Sequence, residues 1–537
     1  MMWERSERQF PVDPRVYAKR DGDHRAIIVR STGVLFAWLG RGVRHGRIPR
    51  RSLFYPPTPR YFMVDRNLLL VLLLIAGAAL VAGCLQGQPT DATPTPAPSA
   101  AGTLTPAPAA ITTTPDLIEF VRGAAVFARE QGRAGAAAAF NDPNGTFVSG
   151  GVHVFAVDYN GTLLADPEEP GAVGTDISNL TDAFGVPLVR KMAETARFGR
   201  GLVSYDYPNP KSNAIAEAKL TVVEDVDGSY YVAAGFFESE GDVFPSTVLN
   251  LTGERVGTKD LVAYVKEAVA YARANGKEAA LATFNAANGP FSRGELAVMA
   301  FDFNGTGLAA PPYAREVSAN RINLINYQDP DGVTTIRGMR DLSRRGGGFL
   351  YTVAKATVNG TEVYLPKINY AEPVDGEWWL FSGIVDPAYA GAAAGNLTGL
   401  PVRNSSRFEL YDQVQRVVDY ARANGKEKAL AAIDDPKGPF VRGDLFVWAE
   451  STDGTLLADP FWKEGIGKNY LDFADTNGMQ VTRVGLDAMR NGTGFSHALF
   501  VDTTTNSSAL VPKLVYQKAV DETWWIGSGI YGVEVKE

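Results

Sequence analysis

An α+β fold in three tandem copies, each an antiparallel sheet with a long N-terminal helix, is what this 537-residue sequence predicts. Two observations carry that prediction. A long motif recurs at near-constant spacing, and inside each copy the apolar pattern changes from helical to alternating. YARANGKEAALATFNAANGPFSRGEL begins at Tyr271, and YARANGKEKALAAIDDPKGPFVRGDL begins 149 residues later at Tyr420. A fainter version, FAREQGRAGAAAAFNDPNGTFVSGGV, begins at Phe127, 144 residues before the second.

Within a copy the elements follow in order. LVAYVKEAVAYARANG (261–276) has helical spacing and a stop at Asn275-Gly276. ELAVMAFDFNGT (295–306) is an apolar strand entering an Asn-Gly turn, which marks a hairpin. VFAVDYNGTLLADP (154–167) and FVWAESTDGTLLADP (446–460) hold the equivalent places. A long polar stretch follows, LADPFWKEGIGKNYLDFADTNGM in the third copy, and then a short helix. Two late strands close each copy. The last carries an aromatic pair, in SYYVAAGFF, EWWLFSGIV and TWWIGSGIY. The copies span 116–243, 260–388 and 409–537, the first being the most degenerate. Their joints, 238–260 and 386–409, are rich in Gly, Pro and Ser and allow a beaded arrangement with hinge freedom.

Composition excludes several classes. The net charge of −8 offers no basic stripe for nucleic acid. One cysteine excludes an intrachain disulfide and a multi-cysteine metal site. Four histidines, with no Ser-His-Asp arrangement, HExxH or P-loop, point away from an enzyme, and no cofactor is implied. His153 and His497 lie at different places in different copies and read as structural or exposed.

The lone cysteine, Cys84, closes an uncharged run from Leu68 to Gly83. Sixteen residues are short of the roughly 20 that span hydrocarbon, so 63–84 reads as a signal peptide or as a short membrane anchor. Val81-Ala82-Gly83-Cys84 resembles a lipobox, which would attach membrane lipid through Cys84. Residues 1–62 hold 13 of the 52 basic residues and show no sustained period. They read as an unstructured extension, with Met63 the true start, or as a basic cytoplasmic tail before an anchor. The Pro/Thr/Ala-rich tract 85–115 is a spacer. The bulk of the chain is therefore expected outside the cytoplasm. Ten Asn-x-Ser/Thr sequons permit glycosylation there, although Asn-Gly-Thr is also turn chemistry.

DDPKGPFVRGDLFVW, DGTLLADPFWKEGIGKNYLDFADTNG, VPKLVY and WWIGSGIY together resemble a single Cache domain of the second type, an extracytoplasmic sensor module related to PAS domains. The resemblance covers 410–534 well, 261–386 moderately and 117–240 more weakly. It implies PAS-like domains that bind small organic acids, amino acids or similar metabolites. The chain ends in GVEVKE, so signalling is expected to need a separate transmembrane receptor or transporter. Where the family often has His-Pro, this chain has Asp459-Pro460, Asp166-Pro167 and Ala310-Pro311.

The candidate ligand-binding residues follow from chemistry and position. Lys513 sits on an apolar strand with Tyr516; it is either an inward ammonium that wants an anion or a solvated edge residue. Three residues apart, the two do not share a face of a regular strand. Lys367 and Tyr370 repeat the pair in the second copy, whereas the first has Lys219 with Val222. Trp448 offers a wall, and Asp459 an amine partner or a turn cap. Tyr470 and Asp472 lie in the long insertion over the sheet. Arg483 offers a carboxylate clamp or a surface ion pair. The leading expectation is a membrane-anchored protein that binds a small metabolite. The alternative is a structural or adhesive surface protein whose pockets have been lost.

Overall fold

A computed structural model describes residues 20–21, 25–26, 110–212, 216–242, 256–358, 360–393, 396–501 and 510–536. The apolar segment, Cys84 and the sequons at Asn250, Asn359 and Asn506 lie outside them. Two compact units are Met1–Pro98 and Ser99–Glu537. In the first, the described residues form a two-residue ladder of Arg20–Asp21 against Arg25–Ala26. Among the described residues no helix is long and apolar enough to cross a membrane.

The second unit contains three sheets built alike. In the first copy α1 (Thr114–Phe140) leads to β1 (Phe155–Asp158), β2 (Leu163–Ala165), α2 (Leu188–Ala196), β3 (Arg200–Tyr207), β4 (Glu217–Asp225) and β5 (Tyr230–Phe237). The second has α3 (Thr258–Asn275), α4 (Lys277–Phe284), β6 (Met299–Asp302), β7 (Gly307–Ala309), β8 (Asn323–Asn326), α5 (Thr335–Arg344), β9 (Gly348–Val358), β10 (Thr361–Pro373) and β11 (Trp378–Val385). The third has α6 (Arg407–Asn424), α7 (Lys426–Ile433), β12 (Leu445–Ser451), β13 (Leu456–Ala458), α8 (Val481–Asn491), β14 (Phe495–Val501), β15 (Leu510–Ala519) and β16 (Trp524–Tyr531), and β17 (Val535–Lys536) follows. The strand orders are β2-β1-β5-β4-β3, β7-β6-β11-β10-β9 and β13-β12-β16-β15-β14, antiparallel throughout.

The repeated motif explains this likeness physically. Gly132, Gly276 and Gly425 sit at φ of 67°, 81° and 84°, a left-handed kink that lets a second short helix turn off the first. The arginine of each FAR or YAR triplet pins the closing hairpin to the helix. Arg129 donates from Nε to the Val226 carbonyl at 2.8 Å, Arg273 to that of Val374 at 2.7 Å, and Arg422 to that of Val520 at 3.1 Å. In the third copy Ser406 and Glu409 form a capping box at the start of α6. That helix buries Leu410, Val414, Val417 and Val418 against Leu514, Tyr516, Trp524 and Ile526.

The copies interlock, although the joints by themselves would allow a beaded arrangement. Strand β8 of the second copy joins the first sheet, parallel to β3. Asn326 of β8 donates to the Lys191 carbonyl and to Thr195 Oγ1 at 3.1 and 3.0 Å. Strand β17 pairs with β10, so the tail of the third copy completes the second sheet. The joint before α6 is held by Arg403, which donates to both Asp331 oxygens at 2.7 and 2.6 Å. The side chain of Arg403 is 5% exposed and that of Asp331 is fully buried. Arg403 holds the Asp331 carboxyl well below the usual range, against the opposing effect of burial. Next to it Arg407 pairs with Asp206 of the first copy.

Breaking a buried pair leaves one charge uncompensated and costs roughly 3–5 kcal/mol. Arg403→Met is therefore expected to lower unfolding stability by about that amount, with Arg403→Met/Asp331→Asn recovering part of the loss. Denaturant unfolding checks this; a single variant as stable as wild type contradicts the assigned role.

Candidate functional site

Because side chains alternate along a strand, each sheet has a helix-packed face and an opposite face. The aromatic pair shows the division: Tyr230 and Trp524 pack towards the helices, while Tyr231 lies in the cluster on the other side. On that opposite face lie three equivalent lysines. Lys219 of β4, Lys367 of β10 and Lys513 of β15 stand across from Phe237, Val385 and Tyr531 of the closing strands.

Their surroundings differ. In the first copy the face is filled by Val157, Leu163, Val189, Met192 and Tyr231. Lys219 lies 5.0 Å from the Phe237 ring, and burial lowers its pKa against Glu168, Tyr207 and Asp166. In the third copy the Lys513 ammonium is surrounded by four rings: Tyr531 at 4.5 Å, Trp448 at 4.9 Å, Phe446 at 5.0 Å and Phe500 at 5.8 Å. It donates to the Tyr531 hydroxyl at 3.1 Å and is 6% exposed. Cation–π attraction is strongest where water is excluded, so the box offsets part of the desolvation cost. Two glycines of β16 make room for it. A Cβ at Gly527 would meet Trp448 at 2.7 Å, and one at Gly529 would overlap Lys513.

Beside the box lies a carboxyl that sequence reasoning missed. Glu450 follows Trp448 on the same face of β12, is 7% exposed, and leaves Oε2 without a hydrogen-bond partner among the described residues. Burial pushes its pKa up to about 8, against opposing hydrogen bonds from Trp448 and Thr482. Directly across the ladder stands Trp525, whose Nε1 also lacks a partner. The equivalent Trp379 donates to the Asp302 carbonyl at 3.0 Å. The first and second copies carry Val157 and Phe301 where the third carries Glu450, each paired with the second residue of the aromatic pair. A buried acid at an otherwise apolar repeat position was the signal available in the sequence.

The other predicted residues divide. Asp459, 8% exposed, caps its turn by accepting from the Phe461 and Trp462 amides at 2.8 and 2.9 Å; burial raises its pKa, and Lys513 is among the groups that oppose the rise. Tyr470 lies tilted against Trp462 at 4.8 Å, and Trp462 reaches the Phe500 ring at 6.5 Å, so this part of the insertion covers the box. The remaining four residues lie away from the box. Tyr516 faces α6, where it touches Tyr411 and Phe495 and its hydroxyl accepts from Gln415 at 3.1 Å. Tyr370 likewise leaves the Lys367 side, packing on Phe349 at 4.9 Å and donating to Glu372. Arg483 and Asp472 pair with each other at the surface.

In the second copy Lys367 opens instead on a cavity of about 420 Å³ that Thr352, Asn369, Met299 and Phe381 help to line. Burial lowers the Lys367 pKa, and Glu295 opposes that effect.

The Single Cache domain 2 family model matches residues 131–239 and 408–537. The first copy, ranked weakest by resemblance, is thus matched, and the middle copy lies outside both matches. A methyl-accepting chemotaxis protein from Vibrio parahaemolyticus is 24% identical over 23% of this chain and 86% of its own, with a TM-score of 0.21. A Cache chemosensory domain solved to explain carboxylic acid recognition is 21% identical over 22% of this chain and 83% of its own, at 0.18. The ligand-binding domain of the Pseudomonas fluorescens chemoreceptor CtaA, in complex with L-isoleucine, is 12% identical over 50% and 82%, at 0.15. No curated protein sequence matched.

Glu450 carries a pH prediction. Its folded pKa of about 8 lies above the ordinary carboxyl value of 4.5, so its contribution is fully present below the ordinary value and is lost as pH rises towards 8. Relative to Glu450→Gln, the wild type is expected to lose stability from about pH 5 to 8, by something on the order of 4 kcal/mol across the window. Thermal unfolding of both at constant ionic strength checks it; parallel profiles contradict it.

Proposed function

We propose that the chain is an extracytoplasmic binding protein for a small amino-acid-like metabolite, held by the third copy. One observation carries this reading: Glu450 Oε2 and Trp525 Nε1, a buried acceptor and a buried donor on opposed residues, both lack partners among the described residues. Leaving such groups unpaired costs roughly 1–3 kcal/mol each, so a ligand that presents a donor and an acceptor together regains that energy. An ammonium group suits Glu450, where it would restore the ionised carboxylate. A carboxylate suits the Trp525 indole and the positive potential of Lys513. Trp448 and the Trp462–Tyr470 cluster supply the apolar cover. The family match at 408–537 supports a ligand-binding module over a catalytic one. Tethering through Cys84 or the apolar segment before it, and relay of occupancy to a membrane partner, complete the proposal.

The test is calorimetry of the full-length chain against free L-amino acids and the corresponding acids that lack the amine. At least one amino acid is expected to bind, its deaminated analogue to bind about tenfold more weakly or worse, and Glu450→Gln to abolish the difference. Equal affinity for acid and amino acid, or an unchanged Glu450→Gln variant, defeats the reading. No binding across the panel favours the surface-scaffold alternative.

A further inference from the structure

The short helix ahead of β3, β9 and β14 carries, in each copy, more base than acid. On α2 stand Arg190 and Lys191 with Glu194. On α5 and the residue after it stand Arg337, Arg340, Arg344 and Arg345 with Asp341. On α8 stands Arg490 with Asp487, besides Arg483, which Asp472 holds. Seven cations thus meet three carboxylates, in a chain whose net charge is −8.

The interlocking of the copies brings these helices together, and three contacts close a triangle. Lys191 of α2 donates to the carbonyl of Asn491, at the end of α8, at 3.2 Å. Arg337 of α5 donates to Glu194 of α2 at 2.8 Å. Arg345 pairs with Asp487 of α8 at 2.6 Å. With the Arg340–Asp341 pair at 2.7 Å, all three carboxylates are taken. What is left over is positive. Arg190 and Arg490 have no carboxylate partner among the described residues, and Arg344 lies 3.8 Å from the Asp341 oxygen that Arg340 already holds. These three arginines, one from each copy, are exposed. Burial and the Arg337 guanidinium bring the Lys191 pKa down to about 8, and Arg190 and Arg340 add to the effect. Like charges held this close gain from an anion laid over them.

That anion is an extended one. The cavities beside Arg337 and beside Lys191 measure about 20 and 10 Å³, room for no more than a water each, so neither encloses a small ligand. Guanidinium groups match phosphate oxygens in charge and in fork geometry. The 29 residues between Cys84 and Thr114 reach about 100 Å at most, enough for any face of the folded unit to meet a bilayer to which Cys84 is tied. Such a tether selects no face, whereas a basic face on an acidic chain does.

We infer that the face made by α2, α5 and α8 docks on an anionic phospholipid bilayer, with Arg190, Arg344 and Arg490 against its phosphates. This rests on the tether of the proposed function and gives it an orientation.

The experiment mixes the full-length chain with vesicles of phosphatidylcholine, alone or with about a quarter phosphatidylglycerol, and reads flotation and phenylglyoxal modification of each arginine by mass spectrometry. Arg190, Arg344 and Arg490 are expected to react at least about threefold more slowly on the anionic vesicles, and about 0.5 M salt to abolish that protection. Arg122 of α1 and Arg416 of α6 should react alike on both. The triple variant Arg190→Gln/Arg344→Gln/Arg490→Gln should lose the extra flotation that phosphatidylglycerol gives, and Arg122→Gln/Arg416→Gln should keep it. Flotation with phosphatidylcholine alone reads the tether, so a tether that fails is told apart from a face that fails. The inference is overturned if the three arginines react alike on both vesicles, if the triple variant floats as wild type, or if soluble polyphosphate protects them and anionic vesicles do not.

Discussion

An ammonium group held under a sheet must be shielded, paired or left for a ligand, and that constraint organises this molecule. Desolvating a charge is costly unless something replaces water. The three copies put a lysine at one place in one sheet topology and meet the cost in three ways. The first copy sets Lys219 beside Phe237 next to a filled apolar cluster. The third encloses Lys513 in four rings and a tyrosine hydroxyl. The second leaves Lys367 facing open space. The surroundings of the lysine therefore differ from copy to copy although the fold is shared.

The interlocking of the copies also links the surroundings of these lysines. Strand exchange at β8 and β17 and the buried Arg403–Asp331 pair leave little slack at the second joint. Asp329 receives the amide of Val353 on β9, which lines the second cavity, and faces His497 of β14 at 3.6 Å. His497 was read from the sequence as structural or exposed; it is buried, 3.3 Å from Asp331, between two copies. Strand β14 also supplies Phe500 of the Lys513 box. The second cavity and the third-copy box are thus joined by packed structure, in which His497 Nε2 has no hydrogen-bond partner among the described residues.

Much of the architecture was legible because it rests on local signals. The left-handed glycine, the arginine three residues before it and the aromatic pair recur in the sequence, and the first two do the same jobs in each copy. These prominent motifs turned out to hold the helix to the sheet. The candidate site was less legible, because its decisive features are contrasts between copies. Lys513 and Lys367 look alike in VPKLVY and LPKINY, yet one is boxed and one is open, through residues far away in sequence. Tyr516 and Tyr370 were drawn in by proximity to those lysines, although strand alternation sends them to the helix face. Glu450 was passed over because a single acid in FVWAES reads as the end of a strand. The interlocking was not legible because a Gly/Pro/Ser-rich joint says nothing of an arginine that finds a buried carboxylate seventy-odd residues upstream.

The three lysines therefore differ in how accessible they are. Trace acylation of the full-length chain with acetic anhydride at about pH 8, read lysine by lysine by mass spectrometry, measures that directly, because only an accessible, unprotonated amine reacts. Lys367, with its pKa lowered and open space before it, is predicted to acylate at least about tenfold faster than Lys513. Equal rates, or a faster Lys513, would contradict the account.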